Sequence, residues 1–142
     1  MMSLNSVSED IRQLLNNDGS FGIQGTDLFS FQWGVNSDGE EQNAQTIVID
    51  TENLDVIDKQ YYERPTFVIY VRGDTSESAH SVYDRARSIY QFMIIQVRQV
   101  INGTEYIQYE PVGSPRNLGK DNNNRFVYSM NFSTFRNSLG DS

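Results

Sequence analysis

His80 is the only histidine of the chain, and Ser76, Ser78, Ser81 and Asp84 all stand within four residues of it. Serine, histidine and acid are the parts of a hydrolytic triad. Neighbours on one helix, however, cannot surround a substrate carbonyl as nucleophile, base and orienter. The spacing fits an exposed i, i+4 pair of His80 with Asp84. Gly113-Ser-Pro-Arg-Asn-Leu-Gly119-Lys120 invites comparison with a phosphate-binding loop. Five residues separate its glycines where that loop has four, and Asp121 replaces the hydroxyl that would hold magnesium. The segment also joins two expected strands, so no helix N-terminus would face a phosphate. Asp121-Asn-Asn-Asn lacks the glycine and distal glutamate of a calcium loop, and a lone histidine offers no zinc set. With no cysteine there is no thiolate chemistry. These residue types give no catalytic set, no cofactor site and no metal site.

The remaining motifs read as structure. Arg72-Gly73-Asp74 spells an adhesion tripeptide, but the arginine ends an expected strand and the glycine supplies a turn. Asp38, Glu40 and Glu41 fit a solvated hairpin end. Asn102-Gly103-Thr104 and Asn131-Phe132-Ser133 match glycosylation acceptors, which matter only after secretion. Tyr61, Tyr62, Tyr106, Tyr109 and Tyr128 could form a stacking platform for single-stranded nucleic acid. Basic residues are not interleaved among them, so core and subunit contacts are the better reading. The charge points the same way: 11 Lys and Arg against 19 Asp and Glu give −8, the wrong sign for a protein that grips phosphates. MMSLNSVSEDIRQLL lacks the basic start and apolar run of a signal peptide, and no apolar stretch approaches the roughly 18 residues that span a bilayer. A soluble intracellular protein is expected.

The elements that would position these residues follow from periodicity. Ser6-x-x-Glu9 has capping-box spacing, and Val7, Ile11, Leu14 and Leu15 recur at helical intervals until Asn16, Asn17 and Gly19. Alternation at Phe29, Phe31 and Trp33, and again at Ile47 and Ile49, predicts antiparallel strands over 27–34 and 44–50. TENLDVIDKQYYE has no clean period and reads as a connecting loop anchored by Leu54, Ile57 and Tyr61. A strand over Phe67–Val71 then leads through Gly73 to a helix capped by Thr75 or Ser76. Its stripe runs from Ala79 through Val82, Ala86, Ile89 and Met93 to Val97, Val100 and Ile101, about seven turns, until Asn102-Gly103 stops it. Strands over Glu105–Val112 and Arg125–Arg136 follow, with Phe126, Tyr128, Met130 and Phe132 on one face of the second. GSPRNLGKDNNN between them reads as a long exposed loop. The expected architecture is α+β over residues 1–142 as a single domain. A mostly antiparallel sheet of four to five strands would pack against one long helix, with a short N-terminal helix beside it.

The order of segments over about residues 64 to 136 resembles the tail terminator proteins of long-tailed bacteriophages, also labelled tail completion or minor capsid proteins. The matching features are the strand ending Val71-Arg72-Gly73, the Tyr/Ala-bearing helix and the Ile101-Asn102-Gly103 turn. The loop Pro115…Gly119-x-Asp121…Arg125 and the closing strand Tyr128-Ser129-Met130-Asn131-Phe132 complete the set. The first half corresponds in outline, through an N-terminal helix, two strands and Val48-Ile49-Asp50-Thr51. It departs where Glu52-Asn53-Leu54 replaces an expected Gly-rich turn.

The resemblance implies a homo-hexameric ring that sits on the finished tail tube, stops its growth and offers the surface for joining the head. The implied partners are further copies of the chain, the tail tube protein and a head completion or connector protein. DNA would pass only as cargo and no membrane is involved. The implied location is the virion, at the head–tail junction, with host cytoplasm during assembly. A negative charge suits a channel that DNA must cross without sticking. The family offers no catalytic residues, so interface candidates come from exposure logic: Arg64, Arg72, Asp74, Arg85 and Arg87 around the strand-to-helix turn, and Arg116, Lys120, Asp121 and Arg125 in the long loop. A head-side connector would share the size and acidity. A small hydrolase built on Asp74 and Asp84 is a third reading.

Overall fold

The computed structural model describes residues 6–22, 28–30, 44–58 and 62–138. Helix α1 (Val7–Asp18) begins as its capping spacing predicts, with the Ser6 side chain accepting from the Glu9 N–H at 3.3 Å. Gly19 ends it at φ 84°, where a glycine carries no Cβ penalty. Val7, Ile11, Leu14 and Leu15 are buried. Asp50 of the sheet accepts from the Ser8 N–H at 2.8 Å and the Ser8 hydroxyl at 3.0 Å, placing an anion at the positive end of the helix.

Seven strands form one sheet: β1 (Leu28–Ser30), β2 (Gln45–Asp58), β3 (Tyr62–Arg72), β4 (Val97–Ile101), β5 (Thr104–Pro111), β6 (Arg116–Lys120) and β7 (Phe126–Ser138). Their order is β1-β2-β3-β7-β5-β4, with β6 also beside β7. The expected four- to five-stranded, mostly antiparallel sheet under one long helix is therefore incorrect. Among the described residues the sheet has seven strands, it is mixed because β1 runs parallel to β2, and two helices lie on it.

Each departure has a local cause. Helix α2 spans Ala79–Ile94, with Ser78 as its cap in place of Thr75 or Ser76. The stripe beyond it is strand β4, which returns through Asn102-Gly103 into β5 with Ile101 facing Thr104. Asn102 and Gly103 have φ of 52° and 79°, the conformation of a tight hairpin turn that Asn-Gly favours. Val97, Val100 and Ile101 fit helical spacing by coincidence, and the turn chemistry decides. Within TENLDVIDKQYYE, residues 51–58 and 62–63 are strand and not loop: β2 runs on to Asp58 against β3, and register shifts between Thr51 and Asp55 and between Val56 and Asp58 erase the period of two. The side chains of Leu54, Ile57 and Tyr61 lie outside the described residues, as do Phe31, Trp33, Asp38, Glu40 and Glu41. GSPRNLGKDNNN hides β6. The Val112 N–H donates to the Asn131 carbonyl at 2.8 Å, and the chain kinks at Gly113 (φ 92°) before pairing with β7 again at Arg116. β5 and β6 thus run one after the other along the same side of β7.

The core lies between the helices and one face of the sheet. Phe67, Ile69 and Val71 of β3 and Tyr128, Met130 and Phe132 of β7 meet Val82, Ala86, Ile89 and Met93 of α2. Phe67 stacks on Phe132 with centroids 5.5 Å apart, and Tyr83 tilts against Tyr128 at 5.7 Å. Among the described residues no helix is long and apolar enough to cross a membrane.

Candidate functional site

The strand–turn–helix junction is built for close approach. A Cβ on Gly73 would stand 2.4 Å from Val82 Cγ2, so only glycine lets β3 turn directly under the first turn of α2. The Gly73 N–H donates to the Phe126 carbonyl at 2.9 Å. Arg85 reaches back with a two-pronged bond to Glu77, at 2.9 and 3.0 Å, and donates to the Arg72 carbonyl at 3.2 Å. Burial opposes ionisation of Glu77, but Arg85, the Ser81 hydroxyl and the Asp74 N–H outweigh it and hold the carboxyl below its ordinary value. Asp74 is held low by the hydroxyl and N–H of Ser76, both at 2.8 Å. The Arg72 carbonyl and the N–H and carboxylate of Asp74 are thus spent on the corner itself.

A second corner closes β6 onto β7. Asp121 accepts from the Asn123 and Arg125 N–H groups, each at 2.9 Å, and from the Arg125 guanidinium at 3.0 and 2.9 Å. Burial raises the Asp121 carboxyl, and the Arg125 backbone and side chain together with the Asn123 N–H bring it below its usual range. A cleft of about 200 Å³ opens beside this corner, lined by Ile49, Tyr70, Arg72, Asp121 and Val127. Its carboxylate is committed to Arg125, and among the described residues its lining holds no nucleophile–base pair.

A third polar group is buried beneath α1. Tyr106 donates to Asp10, Asn102 donates to the other Asp10 oxygen at 2.9 Å, and Arg136 reaches the Tyr106 hydroxyl at 3.4 Å. Burial pushes the Tyr106 hydroxyl well above its ordinary value, and the Asp10 charge adds to the shift. This network ties the first helix to the β4–β5 turn and to β7. Sequence reading missed it because Asp10 lies 92 and 96 residues from its donors Asn102 and Tyr106. A lone acid on an otherwise apolar helical stripe was the available signal.

The sequence-selected residues therefore divide. Arg72 and Arg125 are 1% and 4% exposed, inside the subunit. Arg85 and Asp74 serve the first corner and Asp121 the second. Arg64 lies 3.6 Å from Glu110 and over the Phe135 ring. Arg87, Arg116 and Lys120 are exposed, and none has an acidic partner among the described residues. His80 pairs with Asp84 at 3.3 Å in solvent, as its spacing predicts. No group of three acids or histidines among the described residues could hold a metal ion.

The family comparison is specific. A family model described as bacteriophage tail terminator protein matches residues 38–135, and the chain belongs to that family. The family is structural and is not an enzyme family. No curated protein matches the chain.

Proposed function

We propose that the protein forms a ring on the end of the phage tail tube, stops tube polymerisation and presents the surface to which the head is joined. Membership of the tail terminator family carries this reading. The exposed surface supports it: Ile94, Ile95, Val97 and Val100 project around the end of α2 and β4, and Val112 and Leu118 flank or sit on β6. Apolar side chains left outside on a small subunit are what contacts with other chains require. Partners in this reading are further copies of the chain, the tube protein and a head completion protein, with DNA passing as cargo at the head–tail junction of the virion.

Deletion of the gene tests it. A tube with no cap keeps presenting the same heterologous end, so growth continues. Phage lacking the protein should make over-long tails detached from heads, visible by negative stain. Tails of normal length left unjoined would favour the head-side connector. Tails of normal length joined to heads would overturn both.

A further inference from the structure

The cleft beside the second corner opens on the face of the sheet that faces away from the two helices. Side chains alternate along a strand, so Tyr70 and Arg72 point away from the core that Ile69 and Val71 enter, Val127 away from the side of Tyr128, and Ile49 away from that of Val48. Three of its walls are apolar, at Ile49, Tyr70 and Val127, and the Asp121 in its lining is already satisfied by Arg125. An apolar cavity of about 150 Å³ holds a benzene ring. At about 200 Å³ this cleft admits one branched aliphatic side chain and asks for no charge in return.

A side chain of that kind stands exposed on the same chain. Ile95 closes the C-terminal end of α2 and is 71% exposed, with Ile94, Val97 and Val100 exposed around it. Together they leave on the order of 400 Å² of apolar surface in water, about half of what each partner of a standard interface buries. The two features cannot meet within one subunit. The cleft lies at the Arg72↔Val127 pair, next to Gly73 and the first turns of α2, on the far side of the sheet. Ile95 follows the last turn of that helix, 13 residues beyond Val82 and so roughly 20 Å along it, on the near side. A knob and a socket on opposite faces and at opposite ends of one subunit make a heterologous contact, the kind that closes rings.

We infer that Ile95 of one copy, with Ile94 and Val97 beside it, inserts between Ile49, Tyr70 and Val127 of the next copy. This contact rests on the ring of the proposed function and identifies which surfaces close it. Half of a standard interface is too little to hold two free subunits together, so the contact forms where the tube already sets copies side by side.

The chain has no cysteine, so a pair introduced at Ile95 and Val127 reads the contact without background. A disulfide needs Cα atoms within about 7 Å, which the intervening sheet forbids inside one subunit. In tails purified from phage carrying Ile95→Cys with Val127→Cys, oxidation with copper-phenanthroline should give a reducible ladder of dimers, trimers and larger multimers. Either single variant should give none. Dimers from Ile95→Cys alone would mean that two knobs meet across a two-fold axis, and would overturn the contact. Val127→Phe, which fills the socket, should lower the yield of correctly terminated tails by about tenfold or more, and adding Ile95→Ala should restore much of it. Unchanged melting temperatures of the isolated variants establish that the subunit still folds, and if Val127→Phe does not fold the cysteine ladder decides. No ladder, or a Val127→Phe loss in a folded subunit that Ile95→Ala does not relieve, overturns this contact and leaves the terminator reading standing. Normal tails in the deletion strain overturn that reading, whatever the ladder shows.

Discussion

The junction from Arg72 to Arg85 and the stretches 94–100 and 112–120, which flank the buried residues of β5, are neighbours along the chain, yet they treat their side chains in opposite ways. In the first, Gly73 admits the Val82 methyl, Glu77 and Arg85 satisfy each other, and Ser76 satisfies Asp74. In the second, Ile95, Val97, Val100 and Val112 are more than half exposed, and Arg116 and Lys120 face no acid among the described residues. An isolated domain gains stability by burying apolar area, at about 25 cal/mol per Å², and gains nothing from leaving it in water. The contrast separates a region whose polar groups are satisfied within the chain from one that leaves apolar and basic side chains in water.

The sharpest way to break this comparison is to place the same charge in both regions. Ile89 is fully buried under α2, and Ile89→Asp puts an unpaired carboxylate between helix and sheet. The expected cost is above about 4 kcal/mol, leaving little folded protein. Val100 is 57% exposed, and Val100→Asp should change stability by no more than about 0.5 kcal/mol. Thermal melts of the two variants beside the parent chain measure both. Equal losses would mean that β4 is core in solution and that the division is false.

The same comparison shows what the sequence could and could not reveal. Elements with one unambiguous period were readable. These are α1 with its Ser6 cap, the buried face of α2 as far as Met93, and the alternation of Tyr128, Met130 and Phe132. The errors gathered where two signals overlapped. At Val97–Ile101 helical spacing and strand composition coincide over five residues, and only the Asn-Gly turn separates them. At Glu52–Asp58 the bulges that shift the register also scramble the alternation. At β6, glycines at both kinks give a five-residue strand the composition of a loop. Exposure logic for the interface residues failed at Arg72 and Arg125 for a related reason. An arginine that closes a strand or a turn is identical in sequence to one that meets a partner, and only the fold tells them apart.

A smaller effect is expected at the corner glycine. Gly73→Ala would set its Cβ against Val82, and Val82 is fully buried and cannot swing into solvent. The β3-to-α2 turn must open slightly, costing about 1–3 kcal/mol. Gly103→Ala is the control, since nothing lies within 4 Å of a Cβ there and its φ of 79° would be the source of any loss. Denaturant midpoints of Gly73→Ala, Val82→Ala and the double variant test the contact. If removing the Val82 methyls does not lessen the harm done by Gly73→Ala, close packing is not what glycine provides at this corner.

The smallest effect separates the regions by acid. Glu77 is held below its ordinary value of 4.5 against the opposing influence of burial, by Arg85, the Ser81 hydroxyl and the Asp74 N–H. A carboxyl whose folded value is depressed contributes stability that is fully present above its unfolded value and is lost as pH falls through its folded one. Its side chain is 15% exposed, so solvent weakens the pair and the contribution is about 1 kcal/mol or less. Glu77→Gln should therefore lower the denaturant midpoint at pH 7, and the gap from the parent should close as pH falls below about 4.5. Glu105 provides the comparison on the β4–β5 hairpin, 3.7 Å from an Arg98 that is 71% exposed. Glu105→Gln should shift the midpoint less at every pH, because a pair so open to water gains little from its charge. A Glu77→Gln gap that persists unchanged to pH 3 would assign the effect to the shape of the side chain. The junction would then be held by packing around Gly73, and the Glu77–Arg85 pair would be an accompaniment to that packing.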